Sequence, residues 1–199
     1  VLAALIQPAL ARLQEWLRRR VAGTRRDRNR LLRRYSQAIS NVLDVQLLAA
    51  LVTEMLPRYF GARRACLYLV DHEKGSEGKG VYRLRCILPP GGDEPAHGLL
   101  QENGPAAERF KQERRALTAY DLQMEPRYNY LTSPEKAWFG QQGLEIFVPV
   151  NSKDQLIGIL GLTSKNSGEA YLEDDQELLG ILAAQTAVAL ENSRLVEGL

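Results

Sequence analysis

The spacing of apolar residues changes along this chain, and that change restricts its fold more than any single motif. Toward both ends apolar residues recur every three to four positions, as one face of a helix requires, while the stretches between them fill or alternate as strands do. Leu32, Tyr35, Ile39 and Val42 step by 3, 4 and 3, the spacing of a two-stranded helical seam. Gln46, Ala49, Thr53 and Leu56 continue that register, which predicts one helix from near Asp27 to Met55, closed by Pro57 and Gly61. At the other end, Glu173 to Val196 opens with Glu173, Asp174, Asp175 and Glu177, acids that complement the positive end of a helix dipole. Along it Ile181, Gln185, Val188, Asn192 and Leu195 step by 4, 3, 4 and 3. Polar Gln185 and Asn192 at alternate seam positions lower stability while fixing register and strand number.

Between these helices the period is two. Ala65 to Val70 reads as a buried strand, Asp71 to Gly80 as a polar turn and Val81 to Leu88 as a second strand, together a hairpin. The middle, Pro89 to Gly143, is less regular. Pro89-Pro90-Gly91-Gly92 is a loop, Pro105 to Arg114 a short helix and Arg115 to Tyr120 a short strand. Ser133 then serves as the expected N-cap of a helix with Pro134 at its first position and Glu135 close behind. Leu144 to Asn151 and Gln155 to Thr163, joined by Ser152-Lys153-Asp154, form a second hairpin. Strands that are not alternated with crossover helices predict an α+β fold: an antiparallel sheet of five to six strands, terminal helices on one face, short helices and loops on the other.

Composition matters chiefly through its asymmetry. The 199 residues carry a formal charge of +2, which conceals two unlike parts. Residues 1–34 hold ten arginines against Glu15 and Asp27, or +8; the remaining 165 hold 16 bases and 22 acids, or −6. We therefore expect a basic linker helix over 1–34 and one domain over 35–199. The arm opens on an apolar run, Val1 to Ile6, much shorter than the roughly 20 residues of a bilayer span. Three readings of the arm stand side by side. An apolar helix end followed by arginines 18–34 fits the cytoplasmic exit of a membrane span, with the arginines on an anionic lipid surface. Arginine runs also bind nucleic acid, but lysine is absent here and no recognition-helix or zinc pattern follows, so no nucleic-acid partner is expected. The third reading is a solvated helix face.

The second half of the chain resembles a GAF domain. The residues that carry the likeness are Leu144-Glu145-Ile146-Phe147-Val148-Pro149-Val150, Gly158-Ile159-Leu160-Gly161-Leu162, Ser167-Gly168-Glu169-Ala170-Tyr171, Asp174 to Leu179, and Ala183 to Leu195. The likeness is weaker over Arg64 to Asp71, and in all it covers most of residues 37–197. It implies a GAF/PAS-like sheet and a cytoplasmic sensory or dimerisation module, similar to those between membrane helices and the output part of bacterial sensor histidine kinases and diguanylate cyclases. The heptad spacing of the two helices predicts a parallel homodimer with Leu32, Tyr35, Ile39, Val42, Ile181, Gln185, Val188, Asn192 and Leu195 in its seam, and the resemblance implies transmembrane and output domains as neighbours. Cyclic-nucleotide GAF domains carry an Asn-Lys, Phe and Asp-Glu signature. The matching positions here read Ser164-Lys165, Tyr171 and Asp175-Gln176: Lys165 and Asp175 remain, for which the resemblance implies a surface or semi-buried ion pair, but three of the five positions differ and nucleotide binding is not inherited.

The fold so implied leaves a pocket between sheet and irregular middle, with Tyr68, Arg83, Arg85, Tyr120, Tyr128, Tyr130, Trp138, Phe139 and Phe147 as its expected lining, since ligand pockets combine aromatic walls with a few polar groups. The alternative is that these aromatics simply fill the core. No cofactor is required by the sequence, and a small-molecule ligand stays open. His72 and His97 lack partners at metal-ligand spacing, and Cys66 and Cys86 sit in strand centres as core thiols, so no metal site is expected. Gly91-Gly92-Asp93-Glu94 reads as a turn between prolines. No nucleophile elbow, phosphate loop or paired catalytic acids occur, so the segment is not expected to be an enzyme.

Overall fold

The computed structural model describes residues 27–40, 42–74, 80–87, 97–141 and 143–197. Its contacts divide the chain into two units, Val1–Ser36 and Gln37–Leu199. Residues 27–39 are helical and form α1. The apolar run at 1–6, the arginines ahead of Asp27, the loop at 89–92 and the Gly91 to Glu94 turn lie outside the described residues.

The single helix expected from Asp27 to Met55 is two helices. The chain turns at Ser40, and α2 (Val45–Phe60) starts afresh behind Asp44. Asp44 has an extended backbone, and its carboxylate accepts from the N–H groups of Gln46 at 2.6 Å and Leu47 at 3.2 Å, an N-cap that satisfies two orphan donors. The seam register ends with this break, because Ala49 and Leu56 point with Val45, Leu48, Val52 and Phe60 into the core. Pro57 does not close α2 either. In the last turn it removes only one hydrogen bond, and the helix continues to Phe60 before Gly61, at φ 68°, takes the left-handed conformation that ends it.

Six strands follow: β1 (Ala65–Lys74), β2 (Gly80–Ile87), β3 (Gly98–Gln101), β4 (Leu117–Thr118), β5 (Leu144–Ser152) and β6 (Gln155–Thr163). They form one sheet in the order β3-β2-β1-β6-β5-β4, each neighbouring pair antiparallel. The polar residues Asp71 to Lys74, expected in a turn, extend β1 because they pair with Arg83 back to Gly80. The arrangement is the expected α+β fold with an antiparallel sheet.

Register assigns the two faces. Cys66, Tyr68 and Val70 lie alongside Tyr82, Leu84 and Cys86, with Ile159 beside Tyr68, on one face. Leu67 and Leu69 take the other, with Leu160 and Gly158 beside them. There α2 packs on β1, and α6 (Glu173–Glu197) on β5 and on α2. The buried Ser193 hydroxyl donates to the Val42 carbonyl at 3.4 Å and to Ala189 at 3.0 Å, joining the last helix to the segment that leads into α2.

The first face is covered by α3 (Pro105–Glu108), a π-turn (Arg109–Glu113), α4 (Ala119–Met124), a 3-10 turn (Pro126–Tyr130) and α5 (Ser133–Gln141). Caps decide two departures from the expected elements. The strand expected at 115–120 shortens to β4 because Thr118 caps α4, with Thr118 and Asp121 exchanging side-chain to backbone bonds of 3.0 Å each. The cap of α5 is Thr132 rather than Ser133: its N–H donates to Glu135 Oε2 at 2.7 Å, and Glu135 returns a longer bond to its hydroxyl at 3.4 Å.

Candidate functional site

The space between sheet and cover is occupied by aromatic rings. The Trp138 ring lies 5.3 Å from Tyr68, 4.8 Å from Phe139 and 5.4 Å from Phe147, in edge-on or tilted contacts that aromatic quadrupoles favour. Phe110 and Tyr128 complete the layer. Trp138 reaches it over Gly98 of β3, where an added Cβ would stand 2.6 Å from the indole, so this strand position admits no side chain. Among the described residues four side-chain polar atoms are enclosed without a hydrogen-bond partner, Tyr128 Oη, Trp138 Nε1, Asn151 Oδ1 and Gln185 Oε1, and the first two belong to this aromatic layer. Burial raises the pKa of both the Tyr68 and the Tyr128 phenol above the ordinary tyrosine value.

The cover is fastened by charge. Arg109, 6% exposed, donates through Nε to the Ala116 carbonyl at 3.1 Å and through Nη1 to Glu113 at 3.2 Å, with Asp121 at 3.5 Å and Glu125 at 3.6 Å. Arg127 bridges Glu113 and Glu125 from the other side and holds the Glu113 carboxyl below its usual range. Glu135, 1% exposed, accepts from the N–H of Gln101 at 2.9 Å and from both donors of Thr132, tying α5 to the edge strand β3.

Two open grooves flank this packed centre. One, of about 490 Å³, runs between Ala116 and Pro149 at the sheet edge and Gly180 and Ala184 of α6. The other, of about 440 Å³, lies where β1, β2 and β6 meet the π-turn and the far end of α6. In it His72 Nε2 stands 3.0 Å from Glu102 Oε2, and Lys111 Nζ 3.6 Å from Glu102 Oε1 and 5.4 Å from the centre of the Tyr82 ring. Arg194 Nη2 reaches the carbonyls of Val70 and Ile157 at 3.4 Å and Asp71 at 4.0 Å.

Below the sheet the Lys165–Asp175 ion pair is present at 2.6 Å, largely buried, with the ammonium 5.1 Å from the centre of the Tyr171 ring. Tyr171 donates its hydroxyl to the Thr163 carbonyl at 2.7 Å, and burial raises its pKa. This network joins β6 to the start of α6. Among the described residues the outer side of α6 is uncovered toward its end: Val188 is 60% exposed and Leu195 82% exposed, with Asn192 exposed between them and Gln185 and Ile181 half-buried one and two turns earlier.

A family model described as "GAF domain" matches residues 42–191. The chain belongs to the GAF domain family. Among solved structures it is similar to a methyl-accepting chemotaxis protein fragment, residues 122 to 287, at 19% identity and a TM-score of 0.59 over 83% of this chain and 99% of that one. It is similar also to the GAF domain of a phosphoenolpyruvate-protein phosphotransferase from Coxiella burnetii, at 15% identity, TM-score 0.58, over 87% of this chain and 98% of that one. A phycoerythrobilin-bound GAF domain from a cyanobacterial phytochrome matches at 18% identity, TM-score 0.56, over 86% and 98%. At these identities the likeness establishes the shared fold.

Of the nine residues expected to line a pocket, the structure brings together Tyr68, Tyr128, Trp138, Phe139 and Phe147. Arg83 and Arg85 lie on the opposite sheet face, half exposed and paired with Glu73 and Asp71, because odd-numbered positions of β2 point away from Tyr82 and Leu84. Tyr120 and Tyr130 are 65% and 84% exposed. The seam divides as well. Leu32, half-buried, and Tyr35, fully buried, lie on the part of α1 within the first unit, while Ile39 and Val42 are buried in the second, so Tyr35, Ile39 and Val42 are not exposed for a seam. Arg109 and Lys111 were not singled out by sequence, and Glu135 was named only as an early acid of its helix. Only Glu135 carried a signal, the Thr-x-x-Glu spacing from Thr132. Among the described residues no helix is long and apolar enough to cross a membrane, and no group of three or more His, Cys, Asp or Glu could hold a metal ion.

Proposed function

We propose that this chain is a signal-relaying GAF module that works as a homodimer, in which α6 carries a conformational change to an output domain. The observation that carries the reading is the division of labour along α6. Leu178, Leu179, Leu182, Ala183, Ala187 and Leu190 are buried in the domain, whereas Val188, Asn192 and Leu195 are exposed among the described residues and continue at heptad spacing from the half-buried Ile181 and Gln185. A second copy of α6 fits that repeat, and the polar positions set its register. A shift of rotation or register between two such helices is a two-state element that an input can bias.

The context we favour is a bacterial membrane-bound sensor, with a histidine kinase as the output, the arginines of residues 18–34 on the anionic cytoplasmic face of the membrane, and no catalysis in this segment. The regulatory part of a diguanylate cyclase is the alternative context. Light scattering on the purified chain tests the dimer: a mass of two chains supports it, and a single-chain mass at high concentration counts against it. Replacing Asn192 by Leu tightens pairing while relaxing its register.

A second reading, a small-molecule sensor that binds a nucleotide or tetrapyrrole, is favoured by the enclosed Tyr128 Oη and Trp138 Nε1, since unpartnered polar atoms in an aromatic layer are what a ligand would satisfy. Native mass spectrometry with an absorbance scan separates the two readings: a retained mass or visible band favours sensing.

A further inference from the structure

We propose that Cys66 and Cys86 form a reversible oxidation site, in which a peroxide converts the two thiols into a disulfide between β1 and β2. The strand register brings them together. Cys86 stands opposite Tyr68, so Cys66, two residues before Tyr68 on the same sheet face, is its diagonal neighbour. Both are buried thiols, and the Cys86 side chain is hydrogen-bonded to that of Cys66. That bond holds the Cys66 thiol below its ordinary pKa, against burial, which raises it, and with a smaller pull from Arg64 in the same direction as the bond.

The sheet is able to yield where the bond must close. Diagonal neighbours stand about 7–8 Å apart at Cα, slightly beyond the roughly 4.4–6.8 Å that a disulfide spans, so closure needs a small backbone movement. Among the described residues the pair of Leu67 with Ile87 ends the β1–β2 ladder; Cys66 lies just past it and Cys86 one residue inside it. On its other side β1 is held by β6, with Cys66 beside Gly161, so the end of β2 is the part that moves. Cys86 is 7% exposed and Cys66 0%, which makes Cys86 the thiol that a small oxidant meets first. Its sulfur attacks the peroxide O–O bond, giving a sulfenic acid and one water. The Cys66 sulfur then attacks that of Cys86, the S–O bond breaks, and the hydroxyl leaves with the Cys66 proton as a second water. Two electrons have then passed from the two thiols to one peroxide. Closure pulls on the strand beside Tyr68, whose ring lies 5.3 Å from Trp138, so the aromatic layer feels the redox state.

The test treats the folded full chain with hydrogen peroxide, caps the remaining thiols with N-ethylmaleimide under denaturing conditions and maps the tryptic peptides by mass. The expected result is a chain lighter by two hydrogens, with one peptide pair joined through Cys66 and Cys86 and both thiols restored by dithiothreitol. Cys66→Ala should leave Cys86 as a sulfenic acid that dimedone captures, and Cys86→Ala should slow oxidation of Cys66 about tenfold or more. The mapping uses the unsubstituted chain, so it decides the matter even where a variant fails to fold. The site is overturned if the folded chain yields only intermolecular disulfides or sulfinic and sulfonic acids, or if both thiols are recovered capped after peroxide treatment of the folded chain while the same treatment in urea bridges them.

Discussion

Trp138 and Gly98 make one residue-scale device: the glycine exists so that the indole can lie over β3. Gly98→Ala should destabilise the domain, and Trp138→Ala should cost about 3–5 kcal/mol through the cavity it leaves. The two costs should not add, because the three atoms nearest the new methyl all belong to the indole and go with it; urea unfolding of the two single variants and the double variant measures the coupling. The phenols give a second prediction. Burial raises Tyr68, Tyr128 and Tyr171 above the ordinary value of 10.0, so folding favours their protonated form. Their contribution is complete below pH 10.0 and is lost as pH rises through the folded-state values, so stability should fall in alkali. Unfolding curves across that range check the sign, and unchanged stability well above pH 10.0 would contradict it.

Caps rather than periodicity set the elements. Asp44→Ala should cost roughly 1 kcal/mol by removing the N-cap of α2, and the loss should appear as a lower melting temperature with the fold intact. Gly180 makes the opposite case. It lies exposed within α6, and a Cβ there would meet nothing within 4 Å, so Gly180→Ala should stabilise the isolated chain by about 0.5–1 kcal/mol. These cases also explain how far the sequence could be read. Both hairpins and α6 were legible because period and turn residues agreed there. The α1–α2 break was not, since apolar spacing runs on through Asp44 and a single side chain decides the conformation. The pocket was legible in its aromatics, which have to be buried, and in principle in its arginines, because the alternation along β2 already separates Arg83 and Arg85 from Tyr82 and Leu84. Arg109 was hidden because its three carboxylates, Glu113, Asp121 and Glu125, come together only through the turns of the cover.

For the whole molecule, the sheet has a face spent on a packed, charge-fastened cover and a face spent on two helices, one of which keeps an apolar stripe outside. An ordinary surface position on a helix is polar, and Val188 and Leu195 depart from that in heptad register with Ile181. The direct test is cysteine cross-linking along α6, with single substitutions at Ile181, Val188, Leu195 and, as controls, Glu173 and Glu177, in a chain whose own Cys66 and Cys86 are buried. The dimer relay predicts rapid disulfide-linked dimers at the heptad positions and slow ones at the controls. Cross-linking that is equally slow at all five positions, with a monomeric mass by light scattering, would contradict it.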